Sequence, residues 1–307
     1  MLPVSSGTVR LLLTSSLQSG PWGVVGLWAI ASAVVIPFSL YRQAYSFTVG
    51  YGYSVMAMAF IPVKVFGMSP LLAAALFYGF RLGSFLLLRD MLVPNKAKQM
   101  KEFDKNPRLQ RIPFGAAVSF FYALLMTPAL YAMRAYPLHA TAAAATTTTT
   151  TTAGAAVGMI SMATTLVNVN KVGTGLAWAG AILEAIADGH KFIAKQKQRN
   201  SISSSNDNVD TNFAGPTTGV YRISRHPNYT GEVLFWFGLF MAGIPSFGTS
   251  AIAWVGSMLG FYGIYGIMTN AANRLDLKQK EAYGGQASYD TWRTLVKAPI
   301  FPFVHGE

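Results

Sequence analysis

The chain has 307 residues, 52% of them hydrophobic and only 12% charged, about half the charged fraction of a soluble domain. It contains no cysteine, which excludes disulfides, thiolate chemistry and cysteine-based metal sites. The four histidines have no metal-ligand spacing, and the net charge of +12 fits cytosolic loops on anionic lipid better than nucleic-acid binding. Composition therefore predicts an all-α, polytopic membrane bundle with neither a metal site nor a nucleic-acid partner.

Seven segments are apolar over a length close to the roughly 18–20 residues that cross a bilayer as a helix. We expect one transmembrane domain over residues 22–303, after an N-terminal segment, 1–21, whose Ser- and Leu-rich composition is compatible with targeting. The Ala/Thr tract at 139–156 predicts an inserted, poorly ordered loop, and the polar stretch 200–218 predicts a flexible one. The expected spans lie near residues 22–41, 47–65, 70–88, 114–133, 173–192, from within 219–232 to 245, and 249–268.

Lysine and arginine are concentrated in the loops after spans one, three, five and seven, so we expect these loops in the cytosol and the N-terminus on the opposite side. The glycosylation sequon at 228–230 then faces the cytosol and stays unmodified. We expect a multi-pass protein of the endoplasmic reticulum, with another organelle membrane as the alternative. Beyond the last span, the charged residues of 270–283, Asp276 among them, should face solvent. Tyr289 and Trp292 should lie at the membrane interface.

A dense polar block at residues 219–232 directly precedes the apolar run 233–242. Polar residues at the start of a membrane helix cost insertion free energy, which indicates a function. Pro227 suits the first turn of a helix, so free N–H groups and the positive dipole end should meet at Arg225 and His226 and favour a phosphate. The alternative is a basic anchor that contacts lipid phosphates. The polar side chains of the block include Arg222, Ser224, Arg225, His226, Asn228, Tyr229 and Glu232.

Span five carries four charged residues on one helical face. They are Glu184, Asp188, Lys191 and Lys195. Carboxylates in an apolar helix need partners, and we expect Arg222 and Arg225 to provide them. Together these groups would line a cavity that opens to the cytosol, with cations for phosphates and carboxylates for ribose hydroxyls or a carboxamide. The alternative is an ion-pair network that only holds spans five and six together.

In span three, Arg81 lies about two turns from the membrane edge and should therefore face the bundle. Tyr78 lies three residues earlier and shares its face. A phenol beside a cation can act as a general acid, although ordinary interior packing of the tyrosine is the alternative.

The polar block resembles the signature of the membrane-embedded steroid 5α-reductase C-terminal superfamily, especially its branch of DUF1295-type membrane reductase-like proteins. The resemblance covers roughly residues 45–303, apart from the Ala/Thr tract. The matching residues are Gly219, Ser224, Asn228, Tyr229, Gly231, Glu232, Trp236 and Gly238 in the block, Glu184 to Lys195 before it, Tyr78 and Arg81-Leu82-Gly83 in span three, and Tyr283 with Pro299 to Phe303 in the tail.

This resemblance implies a seven-helix oxidoreductase acting on CH–CH groups, like the 3-oxo-5α-steroid 4-dehydrogenases. Such an enzyme uses NADPH to reduce a carbon–carbon double bond conjugated to a ketone in a steroid, sterol or other lipid. The lipophilic substrate would enter from the bilayer, among membrane lipids. The residues implied as catalytic are Tyr78, Arg81 and Glu232. Those implied for NADPH are Glu184, Asp188, Lys191, Lys195, Arg222, Ser224, Arg225, His226, Asn228 and Tyr229.

The match departs from the steroid enzymes at two places. The Arg and His of their span seven correspond to positions near Met268 and Ala272, and no acidic residue precedes Asp90 to match their span-two glutamate. A non-catalytic membrane protein is therefore one alternative. Another is an S-adenosylmethionine-dependent membrane methyltransferase of the isoprenylcysteine carboxyl methyltransferase type, which shares Arg-His-Pro-x-Tyr-x-Gly. Glu232, directly after that glycine, favours the reductase.

Overall fold

The computed structural model describes residues 6–93, 98, 100–146, 155–204, 213 and 215–301, and no strand occurs in these ranges. Short 3-10 helices at Gln43–Phe47, Arg108–Arg111, Gly219–Arg222 and Ile244–Ser246 connect the α-helices. The all-α prediction is thus confirmed. The α-helices are α1 (Ser6–Gln18), α2 (Gly23–Tyr41), α3 (Val49–Phe66), α4 (Pro70–Leu92), α5 (Ile112–Thr146), α6 (Ala155–Ser204), α7 (Pro227–Gly243), α8 (Ala251–Tyr283) and α9 (Ala287–Leu295).

Five helical segments in the described ranges are long and apolar enough to cross a membrane. They are Gly23–Tyr41, Val49–Phe66, Pro70–Leu92, Arg108–Ala135 and Ala251–Tyr283. These segments support a multi-pass membrane protein, but they do not confirm a count of seven.

The helices expected as spans five and six are present but differ from the other five. Helix α7 has only 17 residues. In α6, the uncharged run between Lys171 and Glu184 comprises only residues 172–183, which is shorter than a membrane span. Both helices therefore lack the continuous apolar length that the other spans have.

The two expected loops are partly helical. Residues 139–146 of the Ala/Thr tract continue α5 and residues 155–156 begin α6, while 147–154 lie outside the described residues. Helix α6 does not end near residue 192 but continues to Ser204. The rest of the expected loop, apart from Phe213 and residues 215–218, also lies outside the described residues.

The chain forms two compact units. The first comprises Met1–Ala177 with Phe237–Phe261, and the second comprises Trp178–Trp236 with Tyr262–Glu307. In the first unit, α3 packs closely on α4 and α2 packs on α5. Glycines allow the α3–α4 contact, because a Cβ at Gly52 would lie 2.3 Å from the backbone nitrogen of Gly83. Small residues at such a crossing let two membrane helices approach backbone to backbone.

Arg134, on α5, holds the carboxyl end of α1. Its Nε donates to the carbonyl of Leu17 (2.7 Å), its Nη2 to that of Ser16 (2.8 Å) and its Nη1 to that of Gly20 (2.9 Å). The last carbonyls of a helix have no partner within the helix, so a cation there satisfies them and also complements the helix dipole. The guanidinium in turn lies over the Tyr131 ring at 5.0 Å.

We expect Arg134→Met to destabilise the protein by about 1–3 kcal/mol, because the terminal carbonyls of α1 lose their donors. Thermal unfolding of the detergent-purified chain measures this loss. Lys64→Met, which removes an exposed lysine of α3, is the matched control and should change stability little. Equal melting temperatures for the two variants would show that the hydrogen bonds from Arg134 to the end of α1 do not contribute to stability.

Candidate functional site

The C-terminal segment, residues 296–301, lies along the start of α7 in the second unit. The backbone N–H of Arg225 donates to the carbonyl of Ala298 and that of His226 to the carbonyl of Pro299, each at 2.9 Å. The Thr230 hydroxyl donates to the carbonyl of Ile300 at 2.5 Å. Backbone N–H groups that the sequence suggested for a phosphate are thus paired with carbonyls of the chain itself.

Asp276, on α8, binds both cationic side chains of the polar block. Its Oδ2 accepts from Nη2 (2.6 Å) and Nε (3.0 Å) of Arg225, and its Oδ1 lies 2.7 Å from Nε2 of His226. Nη1 of Arg225 donates to the carbonyls of Val296 (3.0 Å) and Lys297 (2.7 Å). All the donor nitrogens of the Arg225 side chain are therefore used within the protein.

Two predictions about these residues were wrong. Asp276 does not face solvent but is 7% exposed. Arg225 pairs with Asp276, rather than with Glu184 or Asp188, and Arg222 is exposed. The physical reason is that α8 runs unbroken to Tyr283, which brings Asp276 into the interior beside a cation that would otherwise be buried without a counter-charge.

The imidazole of His226 is 1% exposed. Burial lowers its pKa below the ordinary value, while the hydrogen bond to Asp276 acts in the opposite direction. A neutral imidazole at pH 7 would donate its Nε2 proton to the carboxylate. Its ring also stacks on that of Tyr229, with centroids 5.5 Å apart. His226 is thus held on two sides, which fixes the entry of the chain into α7.

We expect Asp276→Asn to destabilise the protein by about 3–5 kcal/mol, because it leaves the buried Arg225 without a counter-charge. Thermal or denaturant unfolding of the purified chain measures the loss. Glu281→Gln removes an exposed carboxylate of the same helix and serves as the control. If both variants unfolded like the parent, the buried ion pair would not hold the second unit together.

A cleft of about 40 Å³ lies beside this ion pair, and we call it the basic cleft. Three of the predicted cofactor residues line it: Lys191, Lys195 and Arg225. None of its lining residues in the described part of the chain is acidic. The lining residues are Lys191, Lys195, Gln198, Phe213, Gly215, Pro216, Tyr221, Arg225, Gln279, Tyr283 and Trp292.

Aromatic side chains form one wall of the basic cleft. Phe213 stacks on Trp292 with ring centroids 5.4 Å apart, and Trp292 donates from Nε1 to the carbonyl of Tyr221 at 3.1 Å. The Tyr221 hydroxyl donates to the carbonyl of Ala187 at 3.1 Å. Burial, and then the negative charge of Asp188, raise the pKa of Tyr221, so this phenol stays protonated.

The packing of this aromatic wall shows that the prediction for Tyr289 and Trp292 was wrong. Tyr289 is fully buried and Trp292 is 6% exposed, so neither lies at a membrane interface as expected. Both belong to the core cluster that Ala187, Tyr221 and Val296 complete. Helix α9 is amphipathic, and its apolar face packs on this cluster. A protein core removes aromatic surface from water as effectively as a lipid bilayer does, so the sequence pattern is the same for both environments.

Close contact between α6 and α7 positions the predicted carboxylates of the second unit. A Cβ at Gly231 would lie 2.6 Å from the backbone nitrogen of Glu184, so only glycine fits there. Glu184 is 3% exposed and Glu232 is 6% exposed. Oε1 of Glu232 accepts a hydrogen bond from Nε1 of Trp236 at 3.2 Å, which restrains the carboxylate within α7.

The other predicted residues of the polar block have different surroundings. Ser224 is buried, and its hydroxyl lies 3.2 Å from that of Thr230. Asn228 is half-buried, and its side-chain oxygen accepts no hydrogen bond from the described residues. Their roles in binding a cofactor remain predictions.

Tyr78 and Arg81 lie in the first unit. The Tyr78 side chain is fully buried, and its hydroxyl is 3.1 Å from that of Tyr51. The Arg81 guanidinium lies 5.9 Å from the Tyr78 ring centroid, which confirms that the two share a face. Tyr51 packs in turn on Tyr122, at 4.7 Å between centroids. Sequence reasoning missed this tyrosine cluster, because Tyr51 and Tyr122 carry no signal beyond their aromaticity.

The comparisons with known proteins support a single family. The model of a family described as a protein of unknown function (DUF1295) matches residues 53–295. The chain belongs to this family. The matched range contains every predicted site residue from Tyr78 to Glu232 and the whole described lining of the basic cleft, so these features lie in the part of the chain that defines a DUF1295 protein. No curated protein and no solved structure matched the chain.

Proposed function

We propose that this DUF1295 protein is a membrane-embedded, NADPH-dependent reductase of a carbon–carbon double bond conjugated to a ketone in a lipophilic substrate. The observation that carries the proposal is the basic cleft. Two lysines of α6 and an aromatic wall line it, and no acidic residue does so in the described part of the chain. Resemblance of the polar block to the steroid 5α-reductase superfamily supports the same conclusion.

The donor set of the basic cleft fits a phosphate-bearing nucleotide. Lysine ammonium groups bind phosphates, and aromatic faces stack on planar rings. The side-chain oxygen of Gln279 lines the cleft, is buried and accepts no hydrogen bond from the described residues. A ribose hydroxyl or a carboxamide N–H could satisfy it.

The basic cleft is smaller than a nucleotide site usually is. Its volume is about 40 Å³, whereas ligand sites commonly have roughly 300–1,000 Å³. A dinucleotide would therefore require lining side chains to move outward. The long side chains of Lys191 and Lys195 and the ring of Phe213 are the groups whose movement would open it.

We assign the roles as follows. Lys191 and Lys195 would bind phosphates, and Gln198 and Gln279 would accept or donate hydrogen bonds to hydroxyl and amide groups. Arg225 would contribute mainly to the local potential, because Asp276 and two carbonyls accept four of its five N–H groups. Bound NADPH would supply a hydride.

The acid of the reaction would be Tyr78. Its hydroxyl would donate a hydrogen bond to the carbonyl oxygen of the enone, and low dielectric would strengthen that bond. The Tyr51 hydroxyl, 3.1 Å away, would orient the phenol, and the Arg81 guanidinium would favour negative charge on its oxygen. Glu232 is proposed as a positioning carboxylate that Trp236 restrains. The substrate would be a steroid, sterol or other lipid enone that enters from the bilayer of the endoplasmic reticulum.

NADPH should stabilise the detergent-purified chain against thermal unfolding by about 2.7 kcal/mol at ~100 times its dissociation constant. NADH and S-adenosylmethionine should stabilise it less. Lys195→Gln should weaken the binding of NADPH by about tenfold, since a charge-assisted hydrogen bond to phosphate is lost. The exposed Lys278→Gln should not. Stabilisation by S-adenosylmethionine alone would instead indicate a methyltransferase, and stabilisation by none of the three would favour a non-catalytic protein.

Tyr78→Phe should reduce the enone-dependent oxidation of NADPH by roughly 10²–10⁴-fold, the usual contribution of a general acid. The binding of NADPH should not change, because the cleft that binds it belongs to the second unit. Tyr53→Phe removes another tyrosine hydroxyl of the first unit, which bonds to Ser84, and is the control. Equal turnover by the two variants would exclude Tyr78 as the acid.

A further inference from the structure

A second cavity lies in the first unit, where α2 and α4 end. Its volume is about 550 Å³, within the usual range of a small-molecule site. Among the described residues, one acidic and one basic side chain line it, and the other lining side chains are aromatic or aliphatic. The lining residues are Pro37, Phe38, Tyr41, Arg42, Tyr45, Leu87, Asp90 and Met91. We call it the Asp90 cavity.

The carboxylate of Asp90 is buried, and within the described residues only the phenol of Tyr45 and the guanidinium of Arg42 lie beside it. The residue is 5% exposed, and neither of its oxygens accepts a hydrogen bond of ordinary geometry from the described residues. The guanidinium of Arg42 is 3.9 Å away, beyond the roughly 2.7–2.9 Å of a charge-assisted hydrogen bond. An unsatisfied buried carboxylate is costly. By contrast, Asp276 receives three such bonds. Apart from the neighbouring Tyr45 phenol, the described lining of the Asp90 cavity thus offers its carboxylate no donor nearer than Arg42.

The aromatic walls favour a cation in the same space. The guanidinium of Arg42 already lies 5.6 Å from the centroids of both the Tyr41 and Tyr45 rings. Burial, then the negative charge of Asp90 and a hydrogen-bond interaction with its carboxylate, raise the pKa of Tyr45, so the phenol beside Asp90 stays neutral. Tyrosine faces attract ammonium as well as guanidinium groups.

The two charges of the cavity would bind the two charges of a zwitterion. Arg42 keeps 18% of its side chain exposed and can donate to a phosphate. Asp90 needs a cation that carries N–H groups, which a primary ammonium has and a quaternary ammonium does not. Leu87 and Met91 provide apolar surface at the end of α4, and Met91 is 72% exposed. The end of a membrane-spanning helix is where lipid headgroups and the first carbons of acyl chains meet protein.

We propose that the Asp90 cavity binds the headgroup of an ethanolamine phospholipid. The ammonium donates hydrogen bonds to Asp90 and lies against Tyr41 and Tyr45, while the phosphate accepts from Arg42. Leu87 and Met91 contact the chain of the lipid. This site is separate from the basic cleft and does not depend on the proposed reductase activity.

The test uses the full chain, purified in detergent and freed of co-purified lipid. Dioleoyl phosphatidylethanolamine, the choline analogue and soluble O-phosphoethanolamine are each titrated and followed by thermal unfolding and native mass spectrometry. The ethanolamine lipid should bind about tenfold or more tightly than the choline lipid, because only its ammonium can donate to Asp90. Equal binding of the two lipids would overturn the proposal. Binding of O-phosphoethanolamine as tight as that of the lipid would overturn the lipid source.

Variants locate the site. Asp90→Asn should abolish the preference for ethanolamine, whereas Glu102→Gln, which changes an exposed carboxylate, should retain it. Tyr41→Leu should weaken the binding of the ethanolamine lipid severalfold. Tyr41 is 64% exposed, so that substitution should leave folding intact even if Asp90→Asn does not fold. Trp22→Leu, an exposed aromatic at the other end of α2, is its control. If Asp90→Asn kept the preference, or if Tyr41→Leu bound the ethanolamine lipid as tightly as Trp22→Leu does, the lipid would lie elsewhere.

Discussion

The second unit depends on one buried carboxylate. Asp276 accepts hydrogen bonds from the side chains of Arg225 and His226, and Arg225 in turn donates to the carbonyls of Val296 and Lys297. One side chain of α8 thereby holds both the start of α7 and the C-terminal segment. A buried cation and anion gain little net stability from being paired, but the loss of either partner is strongly destabilising. The position of the C-terminal segment, and of Trp292 just before it, follows from this pairing.

The same pairing limits what the polar block can bind. An arginine, a histidine and a helix amino terminus resemble an anion site in the sequence, yet the carboxylate of Asp276 and carbonyls of the chain occupy these donors. Besides Arg225, the cations that line the basic cleft are Lys191 and Lys195. The amides of Gln198 and Gln279 add neutral polar groups. A nucleotide in this protein would thus be recognised chiefly by α6 and by the aromatic wall, with the Arg225–Asp276 pair as a rigid support.

Asp276 and Asp90, two of the buried acids, differ in the donors that surround them. Asp276 is saturated by donors of the chain itself, so it stabilises the fold. Asp90 is as deeply buried, but within the described residues only the phenol of Tyr45 and the guanidinium of Arg42 approach its oxygens, and neither makes a hydrogen bond of ordinary geometry. The desolvation cost of a buried carboxylate is offset only when a donor binds it, and a ligand can supply that donor. The aromatic rings and Arg42 around Asp90 indicate the chemistry of that ligand.

The sequence alone determined the features that depend on local spacing and composition. Hydrophobic content predicted a helical membrane protein, the three-residue spacing placed Tyr78 and Arg81 on one face, and the polar block pointed to the family. Tertiary structure alone decided the partners that lie far apart in the chain: Asp276 with Arg225, Phe213 with Trp292, and Tyr51 with Tyr78. The periodicity of a helix states which side chains share a face, but it does not state which other helix that face meets. A charged residue in a polar stretch, such as Asp276, therefore resembles a solvated one until the packing of separate helices shows what it binds.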